Sequence, residues 1–162
     1  MFTFEQFYWN QPTLARVTLG TLSNSGAAFH AKERALDRIE VLLVDDEDMV
    51  QRFVQETLEE AGFRTVMVSS GEEALSLLRE GSDRYRALVT DVRLGPDVMD
   101  GWQLAREVRE MHPEFPIVYM TGDSAEAWTA HGVPNSILLT KPFAPAQLVT
   151  AVSQLLIIGN QP

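Results

Sequence analysis

Residues 39–158 of this 162-residue chain predict a doubly wound α/β fold: a five-stranded parallel sheet, in the order 2-1-3-4-5, between two layers of helices. Three observations predict it. Short apolar runs of strand length recur along the chain, and segments with helical periodicity separate them. Several of the runs are nearly continuous in Val, Ile and Leu, as strands covered on both faces require.

The first strand is IEVLLV, residues 39–44. The helix expected over 47–61 sets Met49, Val50, Phe53, Val54, Leu58 and Ala61 on one apolar stripe, with Gly62 at the stop position. RTVMV (64–68) is the second strand, and a helix over 71–80 carrying Ala74, Leu75, Leu77 and Leu78 is closed by Gly81. RALVT (86–90) is the third strand. The helix over 101–112 carries Trp102, Leu104, Ala105, Val108 and Met111, with Pro113 beyond it. PIVYM (116–120) is the fourth strand, and DSAEAWTAHG after it shows the weakest helical pattern in the chain. SILLT (136–140) is the fifth strand, and the last helix, over 145–157, begins with Pro145 and carries Leu148, Val149, Val152, Leu155 and Leu156.

Residues 1–38 precede this pattern. They open with Phe2, Phe4, Phe7, Tyr8 and Trp9, pass through the Gly- and Ser-containing TLGTLSNSGAAF, and read as an N-terminal extension and linker. Ordered packing of those aromatics, as a docking or dimerisation element, is the expectation, because exposed aromatics are a liability; a partly helical or disordered arm is the alternative. Residues 159–162 form a tail.

Charge follows the same division. Four basic residues against three acids (Arg16, Lys32, Arg34 and Arg38 against Glu5, Glu33 and Asp37) leave residues 1–38 at +1, so the remainder carries −11 of the total −10. Such acidity argues against direct contact with nucleic acid and suits a cation or a basic protein surface. The absence of cysteine excludes disulfides, thiolate nucleophiles and Cys-based zinc sites. No apolar run approaches the length that spans a bilayer, and MFTFEQFYWN lacks the basic start and apolar core of a secretory signal, so a cytoplasmic protein without membrane contact is expected.

In parallel α/β sheets, ligands bind beyond the carboxyl ends of the strands. The first strand runs into four consecutive acids, Asp45 to Asp48; the third ends at Asp91, the fourth at Thr121 and the fifth at Lys141. Each of these alone reads as a turn, cap or loop residue. Together they place Asp45, Asp46, Asp91, Thr121 and Lys141 on one edge, where the carboxylates repel unless a cation offsets them. Mg²⁺ suits such a site, because it is held by few carboxylates and otherwise by water or phosphate oxygens. A carboxylate beside it can act as nucleophile toward a phosphoryl group, and Asp91, at the end of the middle strand, is the expected acceptor. Thr121 and Lys141 would bind the phosphoryl oxygens. None of the three histidines, His30, His112 and His131, has ligand spacing.

The motifs VLLVDDED, LVTDVRL, MDGWQLA, PIVYMTG and LLTKPF occur in this order, and through them residues 39–157 resemble the receiver domains of two-component response regulators. The resemblance implies that Asp45 and Asp46 bind Mg²⁺ with Asp91 and the backbone carbonyl of Arg93. It implies that Asp91 takes a phosphoryl group from a histidine kinase or a histidine phosphotransfer protein, and that the Lys141–Pro142 bond is cis. Arg93 and Asp123 match positions that tune phosphoryl turnover in the family; an ion pair between them across the pocket mouth is expected.

Two departures stand out. Gly101 lies two positions later than the usual family spacing, so the loop after Asp91, with Pro96 and Asp97, is lengthened and is expected to bulge outward. Leu138 stands where receivers usually carry a switching Tyr or Phe; Tyr119 and Trp128 are the nearby candidates for a substitute, with core packing the expected role of Tyr119.

The resulting expectation is a stand-alone, single-domain response regulator, not an enzyme beyond its own phosphorylation and dephosphorylation, acting through an unidentified downstream protein, with a homodimer as a further arrangement. A pseudo-receiver whose output ignores phosphate is the alternative. A haloacid-dehalogenase-like phosphatase is disfavoured by Arg93, where that class has a second Asp, and a flavodoxin-like FMN protein by the acids at the first loop.

Overall fold

The computed structural model describes residues 39–96, 98–123 and 125–158, and the expectations for residues 1–38, the tail and Asp97 lie outside that range. Five parallel strands form one sheet in the order β2-β1-β3-β4-β5: β1 Glu40–Val44, β2 Arg64–Val68, β3 Tyr85–Asp91, β4 Ile117–Thr121 and β5 Ile137–Thr140. The helices are α1 Asp48–Glu60, α2 Gly71–Gly81, α3 Gly101–Met111, α4 Trp128–His131 and α5 Pro145–Ile158. Short 3₁₀ turns at Ser82–Arg84 and Ala125–Ala127 complete the crossovers.

The sheet buries both faces at its centre and less at its margins. All of β4, and β1 after its first residue, is buried, whereas β2 and β5, each paired on one side only, are largely half-exposed. Leu42, Val44, Leu88, Ile117 and Tyr119 point into a core shared with α2 and α3. Their strand neighbours Val41, Leu43, Val89, Val118 and Met120 point the other way, against Val54, Leu58, Leu148 and Val152. This alternation between two apolar cores is what a strand buried on both faces needs, and it explains the continuous runs of Val, Ile and Leu.

The α1 stripe differs from the sequence expectation. Met49 is 84% exposed and Phe53 39%, while Gln51 and Thr57 are buried with Val54 and Leu58. The buried face therefore runs 51, 54, 58, and Met49 lies roughly 200° around the helix from Gln51. Two polar residues are tolerated on the buried face because each finds a backbone acceptor: Gln51 Nε2 donates to the carbonyls of Asp45 and Val68, at 2.6 and 3.0 Å, and Thr57 Oγ1 to that of Phe53, at 2.8 Å. The stop at Gly62 is a Schellman arrangement. Gly62, at φ +90°, donates to Glu59 at 3.0 Å and Phe63 to Leu58 at 3.0 Å, which satisfies two carbonyls of the last turn.

The weak helical pattern after Thr121 becomes the 3₁₀ turn Ala125–Ala127 and the single turn α4. No residue of either is buried, so little apolar contact is available to extend the helix.

The loop between β3 and α3 is exposed at its middle, at Gly95, Pro96 and Val98, in keeping with the outward bulge expected from its length, but it is packed at both ends. Val92 and Leu94 are buried, and Met99 packs against the α2–α3 core. The Met99 amide donates to Glu72 Oε1 at 2.9 Å, and the Met99 side chain lies over Gly71. Asp100 caps α3 by accepting from Gln103 N–H at 2.7 Å. Gly101 then packs so tightly on the end of β3 that a Cβ there would overlap the Asp91 carbonyl oxygen. Contacts thus hold both ends of the loop.

Candidate functional site

The carboxyl ends of β1, β3, β4 and β5 deliver the expected polar residues to one cleft. Asp45 follows β1 and is fully buried; its Oδ1 accepts from the Glu47 amide at 2.9 Å and its Oδ2 from Lys141 Nζ at 2.9 Å. Asp91 closes β3, with Oδ1 2.7 Å from Lys141 Nζ and Oδ2 accepting from the Arg93 amide at 2.7 Å. Thr121 closes β4 and accepts from the Asp123 amide at 3.4 Å, and its carbonyl accepts from the Lys141 amide at 2.7 Å. Lys141 thus bridges the two buried carboxylates, and the Lys141–Pro142 bond that follows it is cis.

Above this triad is a cleft of about 840 Å³. Asp46, Asp91, Arg93, Thr121, Asp123 and Lys141 line it, and Asp45 sits one layer behind, beneath Lys141. Arg93 and Asp123 form an ion pair at 2.6 Å across its mouth, both largely exposed. Trp102, a core residue of α3, also reaches the cleft wall and packs its ring 4.5 Å from that of Tyr119. Tyr119 is fully buried with its hydroxyl accepting from the Val133 amide at 3.3 Å, so it is a core residue. Leu138, its register partner on β5, packs against the same core.

The electrostatics of the triad have one direction. Burial raises the Asp45 carboxyl above its ordinary range, against the opposing pull of the Glu47 amide and Lys141. Burial likewise raises Asp91, helped by the charge of Asp46 and opposed by Lys141 and the Arg93 amide. Lys141 is disfavoured as a cation by burial, but its hydrogen bonds to Asp91 and Asp45 outweigh that and raise it. All three groups hold their protons more tightly than in water. This is the behaviour of a partly dehydrated site with more negative than positive charge, and it favours a further cation.

Among the described residues, no three carboxylate or imidazole side chains converge closely enough to enclose a metal by themselves. The donor set fits a hydrated Mg²⁺, which needs only one or two carboxylates and fills its octahedron with carbonyls, waters or phosphate oxygens. Asp46 is exposed to the cleft and Asp91 faces it, while the Lys141 ammonium already compensates Asp45.

Sequence reasoning missed Gln51, which ties the Asp45 carbonyl to the end of β2, and the contact of Glu72 with the lengthened loop. The signal for Gln51 is its place three and seven residues before Val54 and Leu58, on the buried face of α1.

A family model described as response regulator receiver domain matches residues 41–153. The transcriptional regulatory protein SrrA of Staphylococcus aureus is 35% identical over 119 residues, covering 72% of this chain and 47% of the relative. The chain thus spans about half the length of the curated relatives it matches. Among solved structures, a response regulator receiver protein from Sinorhizobium medicae is 46% identical at a TM-score of 0.73, covering 77% of this chain and 99% of that one. The receiver domain of a sensor histidine kinase from Pseudomonas aeruginosa, with a magnesium ion in its active-site cleft, is 27% identical at a TM-score of 0.63, covering 73% and 97%. Among the described residues, no helix is long and apolar enough to cross a membrane.

Proposed function

The chain belongs to the response regulator receiver family, and from that premise we propose that Asp91 accepts a phosphoryl group from a histidine kinase or a histidine phosphotransfer protein and that output passes through protein contacts. One observation supports this most directly: a buried carboxylate at the end of the central strand meets a lysine ammonium at 2.7 Å on the wall of an open cleft.

In the transfer, an Asp91 carboxylate oxygen attacks the phosphorus of a phosphohistidine. A P–O bond forms, the P–N bond breaks, and its electron pair returns to the imidazole. Lys141, already between Asp45 and Asp91, shifts its ammonium to a phosphoryl oxygen while Asp45 keeps it oriented. Thr121 donates its hydroxyl to another phosphoryl oxygen. The Arg93 amide holds the Asp91 Oδ2 and so fixes the carboxylate plane. Asp46 and Asp91, with the Arg93 carbonyl and with Asp45 behind, would hold Mg²⁺, which when bound would supply charge neutralisation for the phosphoryl group. The Arg93–Asp123 pair narrows the approach of water to the acyl phosphate and slows its loss.

Incubation of the full chain with a small acyl phosphate and Mg²⁺, followed by intact mass measurement, tests the proposal. The expected result is a single phosphate-sized gain that disappears with a chelator and in Asp91→Ala. No gain in the wild type under any condition would overturn it and leave a binding module independent of phosphate.

A further inference from the structure

A second cavity, of about 420 Å³, lies on the α1–α5 side of the sheet. Val50, Phe53, Lys141, Pro142 and Phe143 line it, and the Phe53 and Phe143 rings lie 6.0 Å apart on its wall. Met49, on the same exposed part of α1, is 84% exposed and Phe53 39%. An exposed apolar surface of this kind beside a charged cleft needs an occupant. Lys141 lines both cavities, so whatever fills this groove borders the cleft.

We propose that the occupant is the chain's own residues 2–9, FTFEQFYW, docked intramolecularly between α1 and the Lys141–Phe143 turn. Three observations converge on it. The chain enters the sheet on this side: Ile39 packs against the same core layer as Val50 and Phe143. The groove is separated from Ile39 by little more than the length of β1, about 17 Å. The segment from Asn10 to Arg38, at up to ~3.3 Å per residue, spans that distance many times over.

Composition and charge agree with this geometry. Phe2, Phe4, Phe7, Tyr8 and Trp9 supply aromatic surface to an apolar groove, with Phe4, Phe7 and Tyr8 at a spacing that shares one helical face. Residues 1–38 carry a net +1, whereas the rest carries −11. The exposed face of α1 bears Asp48, Glu56, Glu59 and Glu60 against Arg52 alone, with Glu47 just before it. Arg16, Lys32, Arg34 and Arg38 therefore approach an acidic surface when the aromatics dock. Tethering gives the segment an effective concentration on the order of millimolar, whereas a second copy brings ten net negative charges to an already acidic face.

The absence of cysteine in the chain permits a direct test by introduced pairs. In the full chain, Tyr8→Cys combined with Met49→Cys is oxidised under mild conditions and compared with Tyr8→Cys combined with Glu114→Cys. Glu114 is also exposed but lies at the amino end of the strands, before β4. The expected result is an intramolecular crosslink to position 49 at least tenfold faster than to position 114. Adding Phe53→Asp should slow it at least fivefold, and Phe4→Ser with Phe7→Ser, which leaves the folded body unaltered, should do the same. Equal rates to the two positions, crosslinks predominantly between chains, or rates unaffected by the Phe4 and Phe7 substitutions would overturn the proposal. None of these readings requires phosphorylation.

Discussion

The two walls of the cleft are built differently. On the β3–α3 side, the lengthened loop is held by buried Leu94, by the Met99–Glu72 hydrogen bond, by the Asp100 cap and by Gly101 pressed onto the Asp91 carbonyl. On the β4–α4 side, Gly122 has open space where a Cβ would be, and the helical turns after it contain no buried residue. The proposed phosphoacceptor Asp91 is thus anchored to a wall defined by backbone contact, and Thr121 leads into one with little packing. The difference teaches that one edge of a sheet can combine a fixed carboxylate with a sparsely packed neighbour, since stability is local and follows buried contact.

The sharpest way to break this comparison is a pair of glycine substitutions. Gly101→Ala forces the α3 terminus away from β3 and is expected to cost about 3 kcal/mol, a Tm loss of roughly 10 °C. Gly122→Ala is expected to change Tm by less than about 2 °C. Comparable losses in thermal melts of the two variants would mean that the walls are equally constrained.

Next in size is Asp91→Asn without divalent cation. The Asp91 carboxyl is raised in the folded state by burial, so the folded chain binds more protons than the unfolded one over a window above the ordinary carboxylate range. Its contribution to stability therefore grows as pH falls through that window, and above it an unfavourable buried charge remains. Removing that charge is expected to raise Tm at pH 7 by roughly 3 °C and to flatten this part of the pH dependence. A lower Tm across the whole pH range would show that the bond to Lys141 outweighs the burial cost.

A kinetic prediction concerns the pair that joins the two walls. Arg93→Ala and Asp123→Ala should each leave Tm nearly unchanged, because exposed ion pairs contribute little to stability. Both should lose phosphate faster, by roughly two- to fivefold in a mass-based decay measurement, each step tenfold corresponding to about 1.4 kcal/mol of barrier. Unchanged rates in both would remove the pair from turnover control.

The smallest effect is expected at Glu72. The Met99 amide holds its carboxyl below the ordinary value, so its contribution is present above the unfolded pKa and is lost as pH falls through the folded one. Glu72→Gln should weaken that pH dependence and speed exchange of the Met99 amide, with little change elsewhere. An unchanged amide rate would mean that the loop is held by Leu94 and Gly101 without the tether.

Much of this was legible in the residues. The sheet order, the strand ends at Asp45, Asp91, Thr121 and Lys141, and the end of α1 at Gly62 follow from apolar continuity, helical period and backbone preference, which act within a few residues of chain. The face of α1 was not legible in the same way. Met49 and Phe53 have the same hydrophobicity whether exposed or buried, and Gln51 is accepted inside only because the carbonyls of Asp45, just after β1, and Val68, at the end of β2, meet it there. The loop after Asp91 was legible only in part: its middle is exposed at Gly95, Pro96 and Val98, as its length argues, whereas the packing of its end is decided by contacts of Met99 with Glu72 and Gly71 on α2, distant in sequence.

By itself, then, the sequence determined the kind of fold, the family resemblance and the set of polar residues at one sheet edge, because these rest on local pattern and on a topological rule shared by all such sheets. Tertiary structure alone decided that Lys141 bridges Asp45 and Asp91, that Asp45 lies behind the cleft while Asp46 lines it, and that an apolar groove opens beside them. Those outcomes depend on distances between residues far apart in the chain, and such distances are set only when the helices pack and the competing contacts are resolved.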